Sequence, residues 1–338
     1  MKTTLYKTTE DVALVADLLR QGEVVAIPTE TVYGLAANAL DGGAVLKIFA
    51  AKNRPADNPL IVHISEWEQI IPLVSHIPPK AKALADAFWP GPLTMVLPRS
   101  EIIPDEVTAG GDTVAIRLPA HPVARAVISA CGLPLAAPSA NRSGSPSPTT
   151  AAHVMDDMNG LIPAVLDGGE CAVGVESTVI SLVGETPRLL RPGGITPEQL
   201  QSVIGAIEID PSITANVHLD KVSSPGMKYK HYAPKAKVTL LHSSRQAFIR
   251  FMNEQAEEHS VALCFAEEAK EIHKQTLCIG HENDHNEIAH NLFALLRQAD
   301  EMGLCRIYAH CPEKTGMGLA VYNRLIRAAA FDERELEA

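Results

Sequence analysis

Two cations stand two residues apart in Lys52-Asn53-Arg54-Pro55, with Asn58-Pro59-Leu60 close behind. Arginine offers an anion a planar two-pronged fork, and lysine a mobile point charge. Pro55 and Pro59 stiffen the loop and lower the entropy lost on binding. A second cluster, Pro28-Thr29-Glu30-Thr31-Val32-Tyr33-Gly34, follows a short predicted strand. It puts hydroxyls and a carboxylate where α/β proteins bind ligands. A third, Ala137-Pro138-Ser139-Ala140-Asn141 with Ser143, Gly144, Ser145, Ser147 and Thr149, is rich in small residues. Backbone N–H groups and hydroxyls can approach phosphate closely there. Each cluster has a plainer counterpart: a solvated loop, a turn with Thr–backbone bonds, and a flexible connector. The third lacks the Gly-Lys-Ser/Thr ending of a phosphate-binding P-loop, which excludes Walker-type ATP binding.

Single residues add to these. Arg117 falls in an apolar predicted strand, where an uncompensated charge is costly, so it needs an anion from the protein or from a ligand. Arg191, before Pro-Gly-Gly, makes the same demand. His63 lies in a predicted strand, where a lone histidine also serves as a hydrogen-bonded core residue. His281-Glu282-Asn283-Asp284-His285 matches the HExxH zinc-protease string, but that chemistry needs both histidines on one helical face. Asn283-Asp284 reads as a loop or cap, so no zinc site is expected.

The elements that position these residues form two groups. In the first, strands are expected over 24–27, 60–64, 93–97, 114–118, 135–137, 178–183 and 189–190. Helices are expected after Thr8-Thr9-Glu10-Asp11, from Asp41 to about residue 51, and over 81–88, 122–130 and 197–204. Ser65-Glu66-Trp67-Glu68 has the spacing of a capped helix start. This is a mixed α/β pattern without a regular βαβ repeat. After residue 237, strand and helix alternate regularly, which predicts a parallel sheet in a smaller Rossmann-like α/β domain. No GxGxxG run marks a dinucleotide site in it. The expected domains are 1–209, a linker over 210–236 and a second domain over 237–338. Lys228, Tyr229, Lys230, His231, Tyr232 and Lys235 make that linker unusually basic and aromatic for a passive one.

Bulk composition narrows the functions. The 338 residues are 46% hydrophobic and 20% charged, ordinary values for a globular chain. A net charge of −11 argues against general polyanion binding, so no stable direct nucleic-acid binding is expected. Six cysteines without a CxxC pair read as reduced, mostly buried thiols of a cytoplasmic protein. The opening MKTTLYKTTEDV has no apolar core, so no secretory signal is expected there. No stretch is long and apolar enough to predict a membrane span.

PTETVYGL, AKNRPADNPLIVHI, WPGPLT, AIRLP, APSAN, SPSPT, GVESTVI and LLRPGG, in unbroken order, resemble the YrdC-like threonylcarbamoyl-AMP synthases. PGMKYKHYAP and GMGLAVYNRLIRAA resemble the long two-domain form. The resemblance implies a YrdC-like twisted mixed sheet. It also implies an enzyme that uses L-threonine, bicarbonate and ATP with Mg²⁺ to make L-threonylcarbamoyladenylate. That product would pass to a tRNA threonylcarbamoyl transferase. By the same resemblance Thr31, His63, Arg117, Ala137 and Ser177 contact threonine. Arg54, Asn58, Thr113, Ser139, Ser147, Arg191 and Tyr232 contact ATP, with Lys52 beside them, and Lys52 and Arg54 support catalysis. The linker, with Lys228, Lys230 and Tyr232, would close over the nucleotide. An RNA-binding module without chemistry is the contrasting reading, disfavoured by the acidic balance and scarce aromatics.

Overall fold

The computed structural model describes residues 2–7, 11–216 and 231–337. They fall into two units: residues up to 143 together with 147–216, and residues 144–146 together with 231–337.

The first unit is one mixed sheet. Its strands are β1 (Thr4–Lys7), β2 (Val25–Ile27), β3 (Gly34–Asn38), β4 (Ile61–His63), β5 (Leu93–Pro98), β6 (Thr113–Arg117), β7 (Leu135–Ala136), β8 (Ala164–Asp167), β9 (Thr178–Ser181), β10 (Arg188–Arg191) and β11 (Glu208–Ile209). Their order across the sheet is β1-β8-β2-β3-β7-β4-β6-β5-β9-β10-β11. Among the described residues, seven α-helices accompany them: α1 (Val12–Arg20), α2 (Gly42–Lys52), α3 (Pro79–Phe88), α4 (Asp105–Thr108), α5 (Pro122–Cys131), α6 (Ala151–Met158) and α7 (Pro197–Ile204). In α1, Val12, Val15, Ala16 and Leu19 form one stripe. They pack with Val123, Ala124, Val127 and Ile128 of α5 onto Val25, Ile27, Ala164 and Leu166 of the sheet. A second cluster joins Ile61, Val96, Ala115, Val179 and Leu190. It fixes β4, β5, β6, β9 and β10, the strands that carry the candidate residues.

Local chemistry explains the boundaries. Asp41 caps α2 by accepting from Gly43 and Ala44 N–H at 2.9 and 3.2 Å. Asn53 ends that helix in the left-handed region at φ 50°, which turns the chain outward at Arg54. The helix expected after Ser65 is instead a 3₁₀ helix, Trp67–Leu73, with Glu66 as its cap. Pro72 inside it has no N–H to give an α-helical ladder. Strands β1, β3 and β8 and helix α6 were not expected. β3 reads GLAAN, with neither β-branched residues nor alternation to mark it.

The second unit holds β12 (Lys237–His242), β13 (Ser260–Phe265), β14 (Thr276–Gly280), β15 (Arg306–His310) and β16 (Glu333–Glu335), in the order β14-β13-β15-β12-β16. Every pairing is parallel, as the strand–helix alternation predicts. Its helices are α8 (Arg245–Glu254), α9 (His285–Glu301) and α10 (Gly316–Ala328). Gly144–Pro146 belongs with this unit: Ala233 N–H donates to Gly144 O at 2.9 Å, and Arg297 Nη2 to Pro146 O at 2.5 Å. Tyr232 is buried here too, its ring 5.3 Å from Phe293 and 5.4 Å from the Arg324 guanidinium. Lys228, Tyr229 and Lys230 of the linker lie outside the described residues.

Two sequence expectations change detail. Of the six free cysteines only Cys131, Cys171 and Cys264 are buried, while Cys278 and Cys305 are exposed and Cys311 is intermediate. The HExxH string spans a loop–helix boundary. Asp284 is the cap of α9, accepting from Asn286 and Glu287 N–H at 3.2 and 3.0 Å, and His285 is its first residue. Among the described residues no cluster of three His, Cys, Asp or Glu is placed to hold a metal, and no helix is long and apolar enough to cross a membrane. Because the string is split between a loop and the start of α9, His285→Ala is expected to change neither zinc content by elemental analysis nor melting temperature by more than the measurement error.

Candidate active site

The turn after β2 is organised by one hydroxyl. Thr29 Oγ1 gives its only proton to the Val32 carbonyl at 2.7 Å and accepts from the N–H groups of Thr31 and Val32 at 3.2 and 3.3 Å. Thr31 Oγ1 lies 2.8 Å from it, so the Thr31 proton points at Thr29. The remaining lone pairs of Thr31 then accept from Arg117 Nη1 at 2.8 Å.

Arg117 ends β6 with its side chain only 4% exposed, and Nη2 stands 2.7 Å from Glu30 Oε1. The N–H of Nη2 is not aimed along that line, so the contact is an ion pair without an aligned hydrogen bond. Burial opposes the charge on Glu30, but the Arg117 guanidinium outweighs it and holds the carboxyl below its ordinary range. The anion that the sequence demanded for Arg117 is thus Glu30. One edge of the fork keeps donor capacity for a second carboxylate.

His63 is the cross-strand partner of Arg117 in the parallel β4–β6 pair, and Thr94 is its partner in the antiparallel β5–β6 pair. His63, Arg117 and Thr94 therefore form one row across three strands. Burial, and then the Arg117 charge, push the His63 pKa down to about 3, against the pull of Glu30 and of the Ile61 and Leu135 carbonyls. His63 is neutral at ordinary pH, so Arg117 is the cation of this row. Thr94 Oγ1 meets Ser177 Oγ at 2.7 Å, and Arg191 donates to Ser177 O at 3.0 Å and to its Oγ at 3.2 Å. Gly193 permits that packing, because a Cβ there would stand 2.3 Å from Thr178 N. Beside it, Ser147 Oγ donates to buried Glu176 at 2.5 Å.

A second group surrounds α2. Lys52, expected to face phosphate, is 2% exposed. Its ammonium donates to Ser139 O at 2.5 Å, Asn141 O at 2.6 Å and Asn141 Oδ1 at 3.3 Å. Ser139 Oγ donates to the same Asn141 Oδ1 at 2.6 Å. Lys52 therefore shapes the small-residue loop from behind. Arg54 donates to Asn58 O at 3.2 Å. The Asn58 side chain is 1% exposed, and neither its amide N nor its amide O has a hydrogen-bond partner in the protein. Such an orphan costs roughly 1–3 kcal/mol unless a ligand satisfies it.

These residues are ordered along the strands. Thr113 begins β6 and Arg117 ends it. At about 3.3 Å per residue they lie roughly 13 Å apart. Asn58 precedes β4 and His63 ends it, in parallel register with β6. β7 runs antiparallel to β4 from Leu135 opposite His63, and Ala137 N–H donates to Ile61 O at 2.9 Å. The chain then reaches Ser139, which bridges to Gly34. The strand pair thus carries His63 and the Arg117–Glu30 ion pair at one end and the polar Asn58 and Thr113 at the other, with 135–139 running alongside.

Residues 17–193 match the Sua5/YciO/YrdC family, described as telomere recombination, and residues 195–330 match the C-terminal domain of threonylcarbamoyl-AMP synthase. The chain belongs to the threonylcarbamoyl-AMP synthase family. The threonylcarbamoyl-AMP synthase of Pyrococcus abyssi is 47% identical over 95% of this chain and 94% of its own length. That of Bacillus subtilis is 47% identical over 94% and 92%. The crystal structure of P. abyssi Sua5 complexed with L-threonine matches with a TM-score of 0.92 and 43% identity, covering 99% of this chain and 100% of that one. As in this family, the chain is an enzyme.

Of the residues expected to form the site, Thr31, His63 and Arg117 come together in one buried group, and Ser177 and Arg191 in a second joined to it through Thr94. Lys52 and Ser139 share a third. Tyr232 stands in the second unit. Glu30, Thr94, Asn141 and Glu176 carry contacts that sequence reasoning did not assign. Glu30 was visible as a carboxylate and Arg117 as a charge in want of one, but nothing in the sequence paired them.

Two outcomes follow from the geometry. Lys52→Met strips the 139 and 141 carbonyls of their donor, so it is expected to cost about 1–3 kcal/mol in urea unfolding. Arg54→Ala is expected to cost under about 1 kcal/mol; equal losses would show that Lys52 is not a loop anchor. His63 has a folded pKa below its unfolded value, so its contribution to stability is complete above about pH 6.5 and is lost as pH falls toward about 3. The unfolding midpoint of His63→Asn, relative to wild type, is expected to fall less steeply between pH 6.5 and 4.5. Parallel pH profiles would contradict the buried neutral imidazole.

Proposed function

We propose that this chain joins L-threonine, bicarbonate and ATP into L-threonylcarbamoyladenylate, releasing pyrophosphate. The observation that carries the reading is the row His63–Arg117–Thr94 beside Thr31: one buried guanidinium, paired on one side with Glu30 and flanked by the neutral hydrogen-bonding groups of His63, Thr94 and Thr31. A carboxylate is the anion that fits such a fork. Arg117 and Thr31 take the threonine carboxylate, while Ala137 and Ser177 wall the amino-acid end. His63, being neutral, leaves the amine free to lose its proton and capture carbon dioxide as a carbamate. Arg54, Asn58, Thr113, Ser139, Ser147 and Arg191 hold ATP toward the other end.

The carbamate oxygen then attacks the α-phosphorus in line, the bond to the bridging oxygen breaks and pyrophosphate leaves with the electron pair. Such a displacement needs positioning and charge neutralisation more than a covalent nucleophile. Arg54 and Arg191 supply charge, while Lys52 supplies it indirectly by setting the loop. Mg²⁺ bound with ATP would neutralise the phosphates further. The buried carboxylates of the first unit, Glu30 and Glu176, are engaged by Arg117 and Ser147. The phosphates and water are therefore its fitting ligands. The product would be consumed in the cytoplasm by a tRNA threonylcarbamoyl transferase, through transient contact.

Pyrophosphate release from ATP is expected to require both threonine and bicarbonate. Release that persists when either is omitted would overturn the reading. Arg54→Ala is expected to lower kcat/KM by about one to two decades, the loss of one charge-assisted hydrogen bond of roughly 1.5–3 kcal/mol.

A further inference from the structure

The second unit holds a cavity of about 310 Å³ lined by His242, Ser243, Phe265, His310, Pro312 and Lys314, among others. It opens at the C-terminal ends of β12, β13 and β15. The strand order places the connection leaving β13 toward β14 and that leaving β15 toward β16, in opposite directions from adjacent strands. Ligands of open parallel sheets bind in the crevice that such a divergence creates. At its floor three side chains form a chain: His310 Nδ1 stands 2.6 Å from Glu268 Oε1, and His310 Nε2 stands 3.4 Å from Ser243 Oγ. The imidazole is clamped flat against Phe248, with ring centroids 4.7 Å apart and planes 9° apart. Glu268 is fully buried, and its other oxygen accepts from Phe265 N–H at 2.9 Å. Ser243 follows β12 directly and precedes Ser244, the cap of α8, so it occupies a strand-to-helix turn. None of these residues is among those assigned above to adenylate synthesis.

We infer that Ser243, His310 and Glu268 form a nucleophile–base–positioning triad for hydrolysis of a small carboxylic ester. The order along the chain, Ser, Glu, His, is the order used by α/β-hydrolases, and the roles are recognised by geometry. Phe265 and Pro312 give the cavity an apolar wall suited to a short acyl chain. Ser243 Oγ bonds to the acyl carbon while its proton passes to His310 Nε2, and the alcohol leaves with that proton. Water then gives a proton to His310 as its oxygen bonds to the acyl carbon. The C–O bond to Ser243 breaks and Ser243 recovers the proton, so ester and water become acid and alcohol.

The resting state is the protonated one. His310 Nε2 also lies 3.1 Å from the Ser243 carbonyl, which can only accept, while Nδ1 faces a carboxylate. Glu268, and more weakly Glu282, raise the His310 pKa against burial. Around the cavity stand His242, paired with Glu333, Glu282, paired with Arg245, and the exposed Glu313 and Lys314. Once Nε2 loses its proton, the carbonyl contact turns repulsive and the Ser243 hydroxyl is the donor within reach. Reactivity should therefore rise with pH through a point above the usual histidine range.

The test uses the full chain with a fluorophosphonate probe and p-nitrophenyl acetate. One phosphonyl adduct is expected, placed on Ser243 by peptide mass spectrometry and absent in Ser243→Ala. Ester hydrolysis should fall on the order of 100-fold in His310→Asn. In Glu268→Gln the acid limb of the pH profile should move to lower pH, a shift that a merely structural role for Glu268 would not produce. Ser243→Ala should retain threonine-dependent pyrophosphate release, which separates this site from the synthase. Wild-type hydrolysis no faster than that of Ser243→Ala, or labelling on another residue, would overturn the triad.

Discussion

The buried contact between Arg117 and Glu30 is the constraint on which the first unit depends. A guanidinium at the end of a central strand is tolerable only because a carboxylate from the distant turn after β2 folds onto it. That requirement fixes the turn after β2, since Glu30 must face β6 while Thr31 beside it accepts from the same arginine. It also ties the start of α5 to the site, because Glu30 accepts from His121 N–H at 3.3 Å. The price is a pair whose geometry is incompletely satisfied: Nη2 and Oε1 are close without an aligned hydrogen bond.

The rest of the pocket applies the same logic with different groups. Lys52 is a buried cation satisfied by backbone carbonyls, so its charge stabilises the shape of the 139–141 loop. Asn58 is a buried amide left unsatisfied at the opposite end of the strand pair from His63. One end of the site has spare cationic capacity, and the other has spare neutral donor and acceptor capacity. An amino acid carboxylate and a nucleotide place complementary demands on two such ends. The run 135–139 spans them, and under the proposed function it would lie along both substrates on one sheet.

Much of this was legible in the sequence where the signal is local. The Asp41 cap, the strands around His63 and Arg117, Pro197 opening α7 and the regular alternation after residue 237 all rest on short-range rules. Strand β3 was not, because GLAAN gains its conformation from pairing with β2 and β7 rather than from propensity. The motifs marked candidate loops, yet the partners of Arg117 and Lys52 come from distant segments that only folding brings together. Ser243, Glu268 and His310 were invisible for the same reason. They sit on three separate strand ends, with no spacing that sequence inspection could single out.

The most direct test of the Arg117 site is calorimetric titration of L-threonine into wild type and Arg117→Lys. Lysine keeps a cation beside Glu30 but loses the planar fork. Threonine affinity is expected to fall about 10- to 100-fold in Arg117→Lys, the loss of one charge-assisted hydrogen bond, with the melting temperature nearly unchanged. Threoninol, which lacks the carboxylate, should bind both proteins weakly and alike. Threonine bound equally well by Arg117→Lys would contradict the carboxylate site at Arg117.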